Sequence, residues 1–329
     1  MNINIRGRLF DLSKPKVMGI LNLTPDSFYD GGVHNEINKI EDHVNKMVKN
    51  LKLGDLSITS LKDISRFSIP VKKLFPDFDD SILTKNDPLP ESIMSKGLIH
   101  LTIRSWLLRQ SGKNILIDSC VGADKERPNH PSWHKRDGME WLNALKQQGL
   151  KPEDIDIVLC THLHADHVGW NTKLENGIWV PTFPNAKYVC GKIEYNYWNN
   201  SYKETDKHGA FEDSILPIVK KNQMEFVEDG WDLIKGLKVQ VRPGHTIGHL
   251  CLESDRGALF CGDVLHSPLQ LRHPELSSAF CSDPDLARST REKLLMEISE
   301  SAGYLIPAHF ADPGWTKIKK FRTGYREIT

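Results

Sequence analysis

The chain has 329 residues, in which 43 Lys and Arg balance 43 Asp and Glu. That balance gives no global field to draw in nucleic acid or an anionic membrane, and the length suits one large domain with a small appendage. No apolar run approaches the ~18 residues of a membrane span, and no signal-peptide core stands at the start. A cytoplasmic location is therefore expected, and the six cysteines (Cys120, Cys160, Cys190, Cys251, Cys261, Cys281), scattered without C-x-x-C spacing, read as reduced, buried small hydrophobes.

In chain order, the first element read from spacing is a helix over Glu36 to Asn50, where Ile37, Ile40, Val44, Met47 and Val48 recur at helical intervals. The stretch Lys16 to Gly32, KVMGILNLTPDSFYDGG, resembles the opening signature of dihydropteroate synthase, and the resemblance stops near Asn50. One βα unit cannot close an eight-stranded barrel, so residues 1–50 are expected to be a fragment without synthase activity. Gly54 to Ile64 and Leu98 to Arg109 read as strands, with an irregular excursion over Pro70 to Pro90 between them. A helix is expected over Gly138 to Gly149. Another starts at Ser282-Asp283-Pro284 and runs to about Ala302. Asp124 to Arg136 and Trp170 to Phe183 read as insertions.

The chemistry is concentrated in His162-Leu163-His164-Ala165-Asp166-His167, at the end of the apolar run Ile155 to Cys160. His162 and His164 are two residues apart, so in extended backbone they point to one side and can grip one ion. Asp166 and His167 follow where the chain must turn, free to face a second ion. More ligands are needed than six residues supply, and three further strand ends deliver them. The strand Leu237 to Val241 leads to Pro243-Gly244-His245-Thr246-Ile247-Gly248-His249. Ala258 to Cys261 ends in Gly262-Asp263, and Tyr304 to Pro307 ends in Ala308-His309. Such a set points to a hydrolytic metal centre.

In that order these motifs resemble the metallo-β-lactamase superfamily, over about residues 51 to 320. The resemblance implies a four-layer αββα sandwich over residues 51–329 with a binuclear site at one edge. Carried over by position, His162, His164 and His245 hold one metal, Asp166, His167 and His309 hold the other, and Asp263 bridges them. The absence of a Cys ligand, together with the bridging Asp, argues against a true β-lactamase. Trp106 to Arg109, Ile115 to Gly122, His164 to Trp170, Pro181 to Ala186 and Gly262 to Pro268 resemble the branch of quorum-quenching lactonases and methyl parathion hydrolase-type enzymes.

The implied activity is hydrolysis of esters or lactones, with phosphotriesters as a side activity. Two divalent ions share a water that becomes hydroxide near neutral pH and serves as the nucleophile. Asp166 shuttles a proton to the leaving group. Zinc suits the imidazole-rich site, and iron or manganese fits the same ligand types. His249 reads as a structural imidazole, and His266 either lines the pocket or belongs to a surface loop. Asp118 reads as a buried hydrogen-bond partner behind a ligand. Tyr195 and Tyr197 could orient a carbonyl or simply pack. Trp133, Trp170, Trp179 and Phe183 would make the pocket apolar.

The alternatives are a glyoxalase II-like thioesterase, which shares P-G-H-T-x-G-H but carries a basic C-terminal region, and a fusion product with a pterin-site remnant. The expected partner is a small ester or lactone, and the resemblance implies a homodimer.

Overall fold

The computed structural model describes residues 2–5, 8–11, 50–83 and 89–328. The chain divides into two compact units, Met1–Val44 and Asn45–Thr329. In the first, Asn2–Ile5 pairs antiparallel with Arg8–Asp11. The synthase-like stretch Lys16 to Gly32 and the helix expected from Glu36 lie outside the described residues, except for Asn50, which opens a strand.

The second unit is a mixed α/β fold built on two sheets. In the larger, the strands run in the order Met224–Val227, Lys187–Gly191, Ile157–Leu159, Lys113–Ile117, Leu98–Gln110, Leu56–Pro70, Asn50–Leu53, with Met94–Ser95 paired to the Leu98 strand. The first four are mutually parallel and the rest antiparallel. The smaller sheet has the order Asp232–Ile234, Leu237–Val241, Leu250–Ser254, Ala258–Gly262, Tyr304–Pro307, and only its last pair is parallel.

The period-2 alternation of strands assigns alternate side chains to different cores. Val158, Tyr188, Cys190, Ile103 and Leu107 pack with Trp141 and Leu145 of the helix Met139–Gln147 and with Phe211, Ile215 and Ile218. Their neighbours Leu159, Val189, Trp106 and Leu108 pack against Leu250, Leu252, Phe260 and Ile306 of the smaller sheet. Cys251, Leu259, Cys261 and Leu305 turn the other way, onto Leu294, Leu295 and Ile298 of the helix Pro284–Ser301. Strands covered on both faces read as continuous apolar runs, which is why Ala258 to Cys261 shows no polar alternation.

The helix Pro284–Ser301 begins as expected, with the Asp283 side chain accepting from Leu286 N and Pro284 in the first turn. The strand expected to end at Ile64 continues to Pro70. Its register shifts between Lys62 and Ile64 and again between Ile64 and Phe67, and these bulges break the alternation that a sequence reading follows. The Pro70 to Pro90 excursion holds two short turns of helix, Val71–Leu74 and Asp80–Ile82.

Phe260 is buried between the sheets. Phe260→Ala should therefore cost about 3–5 kcal/mol of unfolding free energy. A denaturant titration reads this directly, and a loss below ~1 kcal/mol would contradict the packing described.

Candidate metal centre

Four strand carboxyl ends converge on one edge of the two sheets. Lys113–Ile117 leads to Asp118, Ile157–Leu159 to Thr161 and His162, Ala258–Gly262 to Asp263, and Tyr304–Pro307 to His309. His164 then stands at the N-terminus of the short helix Ala165–Val168, which carries Asp166 and His167. His245 arrives on the turn before Leu250–Ser254. Two glycines shape that turn: Gly244 has φ +130°, and a Cβ on Gly248 would lie 2.3 Å from the Glu194 nitrogen.

The ring nitrogens form two sets. His164 Nδ1 lies 3.0 Å from His162 Nε2 and 3.0 Å from His245 Nε2. On the other side, Asp166 Oδ2 lies 3.8 Å from His167 Nε2 and 3.6 Å from His309 Nε2. Asp263 stands between them: Oδ2 is 3.4 Å from both His245 Nε2 and His167 Nε2, and Oδ1 is 3.0 Å from His309 Nε2. Metal–ligand bonds of ~2.0–2.2 Å separate neighbouring donors by roughly 3–3.5 Å; the first set meets that spacing and the second is a few tenths of an ångström wider. Each of His162–His164–His245 and Asp166–His167–His309 could hold a metal ion. His167 Nε2 and Asp263 Oδ1 are buried without a hydrogen-bond partner, a costly arrangement that a bound cation relieves.

Partners behind the ligands fix which nitrogen faces the centre. His167 Nδ1 donates to Asp118 Oδ2 at 2.8 Å, leaving Nε2 to face inward. The Thr161 hydroxyl donates to the same carboxylate, so its oxygen accepts from His162 Nδ1 at 3.1 Å and again frees Nε2. His309 Nδ1 donates to the Thr102 carbonyl at 3.0 Å. Asp118 thus sits behind His162 and His167, with φ at +57°.

His249 Nε2 accepts from Asp263 N at 3.1 Å, which makes it a support for the carboxylate. His266 is buried, with Nε2 3.3 Å from Asp263 Oδ2, so it belongs to the site and not to a surface loop.

Electrostatics divide the imidazoles. Burial pushes His164 down to about 4 and His249 to about 3, and holds His162 and His245 well below the usual histidine range, so these rings stay neutral and able to ligate. Burial would also depress His167 and His309, but the carboxylates around them together outweigh it and raise both: Asp263, Asp118 and Asp166 at His167, Asp263 and Asp166 at His309. Asp263 would be raised by burial, yet His309, His167 and His266 hold its carboxyl well below the ordinary carboxylate range.

A cavity of about 570 Å³ opens over the centre, with Asp166, His164, His245, Asp263, His266 and His309 at its floor. Phe67, Ile69, Leu101, Ile103, Trp133, Trp198 and Phe280 line its walls, and His130, His208, Lys73 and Lys207 add polar groups. Of the aromatic residues expected in the pocket, only Trp133 is there. Trp170 stacks on Trp141 at 5.3 Å and Phe183 packs in the same core, while Trp179 covers the Lys125 ammonium. The segment Trp170 to Phe183 therefore closes a core and does not shape the pocket. Tyr195 also lies elsewhere, its ring 4.2 Å from that of Phe226 and its hydroxyl on Asn199.

The segment Asp124 to Arg136, which brings in His130 and Trp133, is fastened at both ends by buried charge. Arg136 pairs with Asp63, whose carboxylate also accepts from Val121 N, while Lys125 and Arg127 share Asp213.

One supporting residue has no signal in the sequence. Glu194, buried in the helix Lys192–Thr205, accepts from Leu163 N, Gly248 N and Trp198 Nε1. It ties the His162–His164 turn to the His245 turn across the site.

Comparison with known proteins agrees with this geometry. The sequence signature described as the Metallo-beta-lactamase superfamily matches residues 100–309. An N-acyl homoserine lactonase of Bacillus thuringiensis is 24% identical over 240 residues, covering 68% of this chain and 87% of that one. Among solved structures, AidC, a dizinc quorum-quenching lactonase, superposes with a TM-score of 0.68 at 22% identity, over 85% of this chain and 96% of that one. AbOPH, a hydrolase in the beta lactamase superfamily, gives 0.70 at 26% identity, over 85% and 96%. The chain belongs to the metallo-β-lactamase superfamily. Within it, the chain is a metal-dependent hydrolase. Separately, 48 residues are 52% identical to dihydropteroate synthase of Escherichia coli strain K12, covering 15% of this chain and 17% of the synthase.

Asn tolerates the positive φ of residue 118, so Asp118→Asn keeps the backbone while weakening the support of His162 and His167. Zinc affinity should fall about 10–100-fold, measured by competition with a chromophoric chelator. Unchanged affinity would remove Asp118 from the site.

Proposed function

We propose that this protein hydrolyses lactones or carboxylic esters at a centre of two divalent ions, zinc by preference. His162, His164 and His245 hold one ion and Asp166, His167 and His309 the other, with Asp263 between them on a four-layer αββα sandwich. The observation that carries this reading is the pair of facing donor sets at the floor of a cavity with apolar walls. Phosphotriesters are a secondary substrate class on the same chemistry. Zinc rests on the imidazole-rich donors. A reducing, cytoplasmic setting is supported by the six free cysteines, five of them buried. Among the described residues no helix is long and apolar enough to cross a membrane.

Bound ions supply Lewis-acid polarisation of the ester carbonyl and activation of water at neutral pH. The protein's own groups do the rest. Asp118, Thr161 and the Thr102 carbonyl hold the imidazoles in the tautomer that presents Nε2. Asp166 opens on the cavity, so its carboxylate is placed to take the proton given up by the attacking water and pass it to the departing alkoxide. Phe67, Ile69, Leu101 and Ile103 exclude water and receive an acyl chain. We assign no synthase activity to residues 1–50, since the match covers 17% of the synthase.

Metal-loaded protein should turn over an N-acyl homoserine lactone or an aryl ester faster than S-lactoylglutathione. Chelation should abolish the activity, and His164→Ala should lower kcat/KM by more than ~100-fold, beyond the usual cost of losing an outer partner of a ligand. Preference for the thioester, or activity that survives chelation, would overturn the reading.

A further inference from the structure

We propose that His266 is a fifth protein donor to the ion held by His162, His164 and His245. The inference rests on the metal-centre reading above and goes beyond it. Four other imidazoles at the centre have an outward nitrogen beside a partner, and His249 is held through Nε2. His162 leans on Thr161, His167 on Asp118, His309 on the Thr102 carbonyl and His249 on Asp263 N, while His245 Nδ1 lies 3.6 Å from Cys281 Sγ. His266 differs: it is 3% exposed, and neither ring nitrogen has a hydrogen-bond partner. A buried imidazole with both nitrogens unpaired is costly unless something absent from the protein chain satisfies it.

Three occupants would satisfy it, a buried water, a substrate group or a metal ion, and the test below separates the ion from the water. The ring lines the cavity, but both of its nitrogens are covered by protein. A substrate would have to displace side chains to reach them. An ion seated on Asp263 would not. Nε2 lies 3.3 Å from Asp263 Oδ2, the oxygen that is 3.4 Å from both His245 Nε2 and His167 Nε2 and 3.9 Å from His162 Nε2, so the choice of the first ion rests on His245. His245, Asp263 and His266 themselves form a set whose ligand atoms could hold an ion.

The position is also fixed from behind. His266 N donates to Gln270 Oε1 at 2.7 Å, and the buried Gln270 amide donates in turn to the Leu276 carbonyl at 2.8 Å. The turn after Asp263 is thereby locked with the imidazole facing the carboxylate. Five protein donors fill the coordination that zinc reaches in catalytic sites, so the activated water would sit on the neighbouring ion held by Asp166, His167 and His309.

The test replaces the native metal with cobalt(II) in the full chain, in wild type, His266→Phe and His266→Asn, with folding checked by circular dichroism. In wild type one of two bound ions should show the weak visible band of five-coordination. In both variants that band should intensify toward the four-coordinate form, and affinity for one of the two ions should fall at least ~10-fold while the other is unchanged. If the variants that fold keep the wild-type spectrum and both affinities, His266 is not a donor, whatever happens to KM. If wild type binds no cobalt, the metal-centre reading fails and this proposal with it. Failure of the lactone and ester assays alone leaves the cobalt result decisive.

Discussion

A carboxylate buried among imidazoles is the constraint around which this site is arranged. Asp263 is almost fully enclosed, and His309, His245, His167 and His266 each approach one of its oxygens within 3.0 to 3.4 Å. Stripping such a group of water is expensive unless cationic or hydrogen-bonding partners replace the lost hydration. The surrounding fold answers that cost. Parallel strands end at the same edge, His249 receives the Asp263 amide hydrogen, and Asp118 holds His167 from behind. Glu194 then joins the two turns that carry the first donor set.

Much of this was legible in the sequence because ligand geometry is local. His162 and His164 are two residues apart, and that spacing alone brings His162 Nε2 and His164 Nδ1 to 3.0 Å. Asp263 and His309 each follow an apolar strand, and a strand buried on both faces is the easiest element to read. The supporting role of His249 and the buried place of Asp118 were legible for the same reason. Each sits within a few residues of an element whose direction the pattern already fixed.

What was not legible depends on contacts made far away in the chain. Trp170 and Phe183 look like pocket residues in a polar segment, but the Trp141 helix and the Tyr188 strand bury them on the far side of the sheet. Glu194 carries no local mark, since its partners Leu163 and Gly248 lie 31 and 54 residues away. Phe67 enters the cavity only because the long strand bulges twice on its way to Pro70. Neither bulge leaves a trace in an alternation count.

The anchoring of the segment Asp124 to Arg136 has a consequence for the history of the molecule. Its buried charges, Asp63 with Arg136 and Asp213 with Lys125 and Arg127, are distinct from Asp118 and Asp263, which brace the donors. The wall that touches a ligand and the machinery that reacts with it are thus secured by separate fastenings. Asn129, His130 and Trp133 can be exchanged over generations while the fastenings at either end hold the segment in place and the donors keep their register.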